Sequence, residues 1–274
     1  MRSELNIAFI GGGNMAQALI GGIAGKLTAA ANIHVVDVMP QTLADLSQRF
    51  GVTTAVTPSD MLASADVIVL AVKPQQMREV VASIRPYVKS QLVLSIAAGI
   101  RAADLSRWLG GHQAIVRTMP NTPALIGKGM TGAVAMTGVS DAQKQMADAI
   151  LRAAGETVWI DDEAQIDAVT AISGSGPAYV FYFIEAMQQA AVELGLSAEQ
   201  GRQLAQATFA GAAELAIRSD EPVSLLRERV TSKGGTTYAA LTSMEDSGVK
   251  AALVKALHAA ADRGRELGEE FGKD

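Results

Sequence analysis

Along the first 160 residues, short unbroken apolar runs alternate with stretches in which apolar residues recur every three or four positions. Leu5–Ile10 is such a run, and Asn14–Gly25 after it has helical spacing, so the chain opens as strand, glycine turn and helix. The same alternation predicts strands at Ile33–Val38, Val52–Ala55, Val67–Val72, Leu92–Ile96, Ala114–Thr118 and Thr157–Ile160. Between them it predicts helices at Gln41–Phe50, Ser59–Ser64, Gln76–Ile84 and Ala102–Leu109. Runs with no polar alternation fit strands buried on both faces, and strands alternating with helices imply a doubly wound, mainly parallel sheet of Rossmann type.

From Glu163 onward the pattern holds no strand. Helices are predicted at Tyr179–Leu194, Ala198–Arg218, Val223–Val230, Thr236–Glu245 and Val249–Phe271, with Gly195, Pro222 and Gly248 between them. The expected fold is therefore α/β, with a nucleotide-binding domain over residues 1–164 and an all-α domain over 165–274. Helix Tyr179–Leu194 carries apolar residues on more than one side and no charge between Glu185 and Glu193, so it must be buried nearly all round. A second copy of the chain is the expected cover, and the first domain is the alternative.

Two apolar stretches resemble membrane spans without being expected to act as such. Residues 5–25 hold no charge, yet Gly11-Gly12-Gly13-Asn14 breaks them. Ala168–Ile184 contains Ser173-Gly174-Ser175-Gly176-Pro177, read as a loop that enters a buried helix. The chain is accordingly expected to be soluble and cytoplasmic, with no membrane partner.

Composition narrows the chemistry. Among 274 residues there is no cysteine, so no disulfide framework, thiolate metal site or cysteine nucleophile exists. His34, His112 and His258 stand singly, and no metal site is expected. Charged residues make up 19% of the chain, low enough to imply surface hidden from water. The net charge of −5 lies wholly beyond residue 164, and neither part has the basic stripe that nucleic acid requires.

Gly11-Gly12-Gly13-Asn14-Met15-Ala16 fits G-x-G-x-x-A between a strand and a helix. Gly11 permits the tight turn, Gly13 lets backbone approach a pyrophosphate, and the helix start at Asn14 and Met15 offers free N–H groups. Asp37, 24 residues after Gly13 at the end of the second strand, suits the ribose hydroxyls of NAD and would repel the 2′-phosphate of NADP. Ala71-Val72-Lys73-Pro74 and Arg117–Pro123, which includes Asn121, fall at carboxyl ends of predicted strands, where ligands of such sheets lie. Far along, Thr231-Ser232-Lys233-Gly234-Gly235-Thr236-Thr237 precedes a helix. It combines four hydroxyls with glycine-exposed amides, a second anion site of carboxylate size.

These segments, with Ser95–Ile100, Ser173–Tyr179 and Val230–Leu241, together resemble the pyrroline-5-carboxylate reductase family over essentially the whole chain. The resemblance implies hydride reduction of the imine 1-pyrroline-5-carboxylate to L-proline by NADPH or NADH, the last step of proline synthesis. It implies a homodimer with interlocked helical domains, often gathered into a decamer, and a site between one chain's cofactor domain and the helical domains. By position, Ser232 and the amides of Gly234, Gly235 and Thr236 are implied to hold the substrate carboxylate, and Thr237 the ring nitrogen. Lys73 and Pro74 are implied to lie beside the nicotinamide ribose, with Asn121 near the ring. Family members commonly use NADPH, whereas Asp37 argues that NADH is accepted.

Two other readings compete. A β-hydroxyacid dehydrogenase needs a lysine shortly after its interdomain glycines, and after Gly176 the next lysine is Lys233. A non-catalytic NAD(P)-binding oligomer would not need the second anion site.

Overall fold

The computed structural model describes residues 5–273. Eight strands form one sheet in the order β3-β2-β1-β4-β5-β6-β7-β8. They are β1 (Ile7–Ile10), β2 (Ile33–Val36), β3 (Thr53–Ala55), β4 (Val67–Leu70), β5 (Leu92–Ser95), β6 (Ile115–Met119), β7 (Gly129–Ala135) and β8 (Gly155–Trp159). All neighbours pair in parallel except β6 and β7. The sheet is crossed by α1 (Asn14–Ile23), α2 (Pro40–Phe50), α3 (Pro74–Ile84), α4 (Ala102–Trp108) and α5 (Asp141–Arg152).

The unbroken apolar runs arise because both faces of the sheet are covered. Ile7 and Phe9 of β1 enter one core with α1 and α5, while Ala8 and Ile10 enter the other with α3 and α4. Every strand residue of β1, β2, β4 and β5 is buried.

Two elements of this sheet are not anticipated by the apolar pattern. The first is β7, whose sequence Gly-Met-Thr-Gly-Ala-Val-Ala is poor in strand formers. Its glycines are needed for close packing: a Cβ on Gly132 would come 2.5 Å from Val169 Cγ1. The second is α5, which begins with a capping box between Ser140 and Gln143 and buries Ala147, Ile150 and Leu151.

A third difference concerns Ser173–Pro177, expected as a loop: Ser173 and Gly174 end a helical turn, Gly176 and Pro177 begin a helix, and only Ser175 between them is non-helical. After a single turn of 3₁₀ helix at Glu163–Gln165, the chain continues as α6 (Ile166–Val169) and a π-helical turn, Thr170–Gly174, and then enters α7 (Gly176–Glu193). Beyond it follow α8 (Ala198–Arg218), α9 (Val223–Arg229), α10 (Thr236–Asp246) and α11 (Val249–Phe271), with no strand among the described residues after β8.

The described chain divides into two compact units. One holds the sheet with residues up to Ser175 and takes back the chain from Ala260 on; the other is Gly176–Ala259, entirely helical. The returning end of α11 docks on the first unit, where Phe271 and Leu267 lie against Gly99. No described helix is long and apolar enough to cross a membrane, and no cluster of three or more metal-ligating side chains occurs among the described residues.

His34 illustrates how the histidines are used. Thr53 donates its hydroxyl to the Ile33 carbonyl at 3.1 Å, so the 2.9 Å contact from His34 Nδ1 to Thr53 Oγ1 assigns the proton to Nδ1. That leaves Nε2 buried without a partner. Burial holds this imidazole below its ordinary pKa of 6.5. Below pH 6.5 the unfolded chain takes up a proton that the folded chain resists, so stability is full above that pH and declines as pH falls. Urea titrations between pH 7 and 5 are expected to show this decline, and His34→Val to flatten it; an equal slope in the variant would exclude His34 as its source.

Candidate active site

The first turn of the sheet is shaped for a dinucleotide. Gly11 adopts φ +100° and donates its N–H to the Val36 carbonyl at 2.8 Å. A Cβ there would stand 2.6 Å from the Ala71 carbonyl oxygen, so the turn closes only with glycine. Gly13 has an ordinary φ of −67° and nothing within 4 Å of an added Cβ. No contact within the chain requires glycine at that position, which leaves open space beside its Cα. Asn14 and Met15 begin α1, which has no side-chain cap and no acid in its first turn, leaving the helix dipole and its N–H groups free for an anion. Ala16 is buried and lets α1 pack closely.

Asp37 follows β2 and is held by two backbone donors. Gly12 N–H reaches one carboxylate oxygen at 2.7 Å and Met39 N–H the other at 2.8 Å. Each oxygen keeps further acceptor capacity, so the group can still receive ribose hydroxyls, and it cannot swing aside for a phosphate.

Ala71 and Val72 leave β4 beside Gly11, with Ala71 N–H bonded to the Ile10 carbonyl at 2.8 Å. Lys73 is the N-cap of α3 and Pro74 its first residue; this helix too lacks a side-chain cap and an early acid. The Lys73 side chain is exposed. Next along the same sheet edge, Thr118 donates its hydroxyl to the Ser95 carbonyl at 2.9 Å, tying the exits of β5 and β6. The carboxyl ends of β1, β2, β4, β5 and β6 thus gather Gly11, Gly13, Asp37, Lys73 and Asn121 along one edge.

Asn121 is more constrained than its position in sequence suggests. Its Oδ1 accepts from Met130 N–H at 2.9 Å, and its Nδ2 donates to Ser173 O and Oγ, both at 3.2 Å. Ser173 therefore belongs to this edge although the sequence places it in the Ser-Gly-Ser-Gly-Pro stretch. Arg117 opens the segment already singled out, but its pairing with Glu163 was not anticipated. Arg117, 4% exposed, pairs with Glu163 at 2.9 Å, and the same carboxylate oxygen caps α4 through Ala102 N–H at 2.7 Å.

In the helical unit, Ser232–Thr237 forms a tight turn into α10. Gly234 has φ +75°, and Gly235 N–H donates to the Ser232 carbonyl at 3.0 Å. Gly235 is the N-cap, again with no side-chain cap and no acid in the first turn. Of the four hydroxyls, Thr231 is committed to the Arg227 carbonyl. Ser232, Thr236 and Thr237 line the turn, the first two exposed and Thr237 half-buried. An uncapped helix start flanked by hydroxyls suits a carboxylate.

Comparison with known proteins assigns both units. Residues 163–267 match the family model described as pyrroline-5-carboxylate reductase dimerisation, and residues 6–99 the model described as NADP oxidoreductase, coenzyme F420-dependent. Pyrroline-5-carboxylate reductase of Pseudomonas aeruginosa is 46% identical over 99% of this chain and 100% of its own length. The solved structure of pyrroline-5-carboxylate reductase from Coxiella burnetii superposes with a TM-score of 0.91 at 39% identity, covering 96% of this chain and 98% of that one. The Plasmodium falciparum pyrroline carboxylate reductase structure, with NADP bound, gives 0.87 at 32% identity over 97% and 99%. Across its whole length, the chain belongs to the pyrroline-5-carboxylate reductase family.

Proposed function

We propose that this protein reduces the C=N bond of 1-pyrroline-5-carboxylate to give L-proline, acting as an NAD(P)H-dependent oxidoreductase. The observation that carries this reading is the pairing, in one chain of this family, of a dinucleotide cradle with a second, carboxylate-sized anion turn at Ser232–Thr237. A non-catalytic nucleotide binder has no use for the latter.

The residues present fit the cofactor, because the space beside Gly13 and the uncapped start of α1 match a pyrophosphate. Gly11, Gly13, Asn14 and Met15 would hold it, Asp37 the adenosine ribose, and Ala71, Val72, Lys73 and Pro74 the nicotinamide ribose, with Asn121 bordering the ring. When bound, the reduced nicotinamide supplies the hydride. Ser232 and the amides of Gly234 and Thr236 fix the substrate carboxylate, which orients the ring, while the Gly235 N–H, expected from the sequence to join them, is spent on the Ser232 carbonyl and holds the turn; Thr237 hydrogen-bonds the imine nitrogen. A cyclic imine is already electrophilic, so alignment and a partner for its nitrogen suffice, and no shifted histidine or lysine is needed. The working assembly is a homodimer built through the helical unit.

NADH is accepted. At ~5 Å and an effective dielectric of about 20, the fixed Asp37 carboxylate opposes each unit charge of a 2′-phosphate by about 3 kcal/mol.

Spectrophotometric oxidation of NADH and NADPH on adding pyrroline-5-carboxylate tests the assignment. Turnover is expected with the wild type and a loss of about tenfold in kcat/KM, ~1.4 kcal/mol, with Thr237→Ala; a loss below threefold removes Thr237 from catalysis. Asp37→Ser is expected to move the cofactor ratio at least tenfold toward NADPH, and an unchanged ratio would show that Asp37 does not face the ribose.

A further inference from the structure

We propose, resting on the dinucleotide part of the reading above, that Gln17 is a positioning residue for the cofactor. Oriented by Arg49, its side-chain amide locks the Gly12–Gly13 peptide with the Gly13 N–H toward a pyrophosphate. All the groups concerned belong to the sheet-bearing unit.

The glycines that let a phosphate approach also leave the peptide between them weakly held. With no Cβ on either residue, that peptide can turn over at little steric cost. A flip would put the Gly12 carbonyl where the Gly13 N–H had been, an acceptor set against an anion. Because the C=O and N–H of a trans peptide point in opposite directions, whatever holds the carbonyl also aims the N–H. Here Gln17 Nε2 donates to the Gly12 carbonyl at 3.0 Å. Gln17 stands one turn into α1, and helical side chains lean toward the N-terminus, which brings its amide back over the turn.

The far end of the same amide is fixed as well. Arg49, near the end of α2, donates from Nη1 to Gln17 Oε1 at 2.9 Å. A guanidinium only donates, so the oxygen of Gln17 must face it and the NH₂ group is left for Gly12. The Arg49 guanidinium lies over the Phe50 ring, 4.8 Å from its centroid, and an added Cβ on Gly21 of α1 would come 3.2 Å from that ring. The other groups of the turn sort consistently. Gly12 N–H donates to Asp37, and the Gly13 carbonyl accepts Gln17 N–H at 2.9 Å. With both carbonyls taken, the N–H groups of Gly13, Asn14 and Met15 have no acceptor among the described residues.

Gln17→Met keeps the length of the side chain and removes both of its hydrogen bonds, whereas Arg49→Ala removes only the group that orients it. In the full-length enzyme, with NADH fluorescence as the readout, Gln17→Met is expected to raise the dissociation constant about tenfold and Arg49→Ala about threefold. The double variant is expected to bind no more weakly than Gln17→Met, because both act through one bond to Gly12. An Arg49 that acted on the anion through its charge alone would multiply with the loss of Gln17. The pyrophosphate is common to both cofactors, so NADPH affinity falls by the same factor and the NADH to NADPH ratio stays within about twofold; a general loosening of the turn would move Asp37 and that ratio with it. Should the Tm of Gln17→Met fall by more than about 4 °C, Arg49→Ala, at an exposed residue, carries the test and must still show its threefold effect. NADH binding within about twofold of wild type in Gln17→Met, effects that multiply in the double variant, or a shifted cofactor ratio overturns the lock. A wild type that binds neither dinucleotide overturns the cofactor reading and the lock with it. One that binds NADH without turning over pyrroline-5-carboxylate overturns the substrate reading and not the lock, which binding alone decides.

Discussion

Gly13→Ala is expected to leave the fold intact and remove most of the affinity for the dinucleotide, whereas Gly11→Ala loses both. At Gly13 the backbone is ordinary and an added methyl meets nothing in the protein, so only the weaker N-cap propensity of alanine is felt, within about 1 kcal/mol. For a chain of this size that is a fall in Tm below roughly 4 °C. The same methyl occupies the space through which a pyrophosphate reaches the amides of Asn14 and Met15. Losing one or two charge-assisted hydrogen bonds of about 1.5–3 kcal/mol each weakens binding by roughly tenfold to ten-thousandfold. At Gly11, the left-handed backbone costs alanine about 1–3 kcal/mol, and the Ala71 carbonyl must also move. Scanning calorimetry and NADH fluorescence titration on both variants separate the two effects. NADH binding within threefold of wild type in Gly13→Ala would place the pyrophosphate elsewhere.

The contrast between these glycines shows what kind of information a sequence carries. The fingerprint Gly11–Ala16 was legible because Gly11 serves a local turn and the context is a strand followed by a helix. The strands of the core were legible because burial on both faces leaves them almost wholly apolar, His34 and Ser95 being the polar exceptions among β1, β2, β4 and β5. Helices α8 and α11 were legible to their last residue, with Gly195 and Gly248 punctuating the chain ahead of them. β7 was not, since its strand character comes from pairing with β6 and β8 while its own residues are mostly glycine and alanine. The π turn was read as a loop because its composition is that of a loop; what makes it helical lies in Asn121 and Met130, 52 and 43 residues away. Asp37 was singled out for its place after the second strand, yet its bond from Gly12 N–H was not foreseen, because Gly12 lies 25 residues away in sequence.

The apolar surface of α7 leads to the other large effect. In the single chain this helix has no buried residue, and Phe181 and Tyr182 remain 58% and 70% exposed. Aromatic side chains lying exposed next to each other along a helix mark an interface rather than a solvated face. Placed in a homodimer, burying each contributes about 1.5–3 kcal/mol, and two-fold symmetry makes every substitution count twice. Phe181→Asp with Tyr182→Asp therefore removes roughly 6–12 kcal/mol of association energy before the cost of burying the new carboxylates is added. Even the lower figure raises the dissociation constant more than ten-thousandfold. Sedimentation velocity at micromolar concentration is expected to give the wild type at twice the chain mass or a multiple of it, and the double variant at 28.5 kDa. Because the pyrroline-5-carboxylate site is taken to need the helical domains of the dimer, turnover should disappear with it, while NADH still binds to the Gly11–Met15 turn within the first unit. A double variant that stays dimeric would show that α7 does not form the interface; one that becomes monomeric and keeps full turnover would place the whole active site within a single chain.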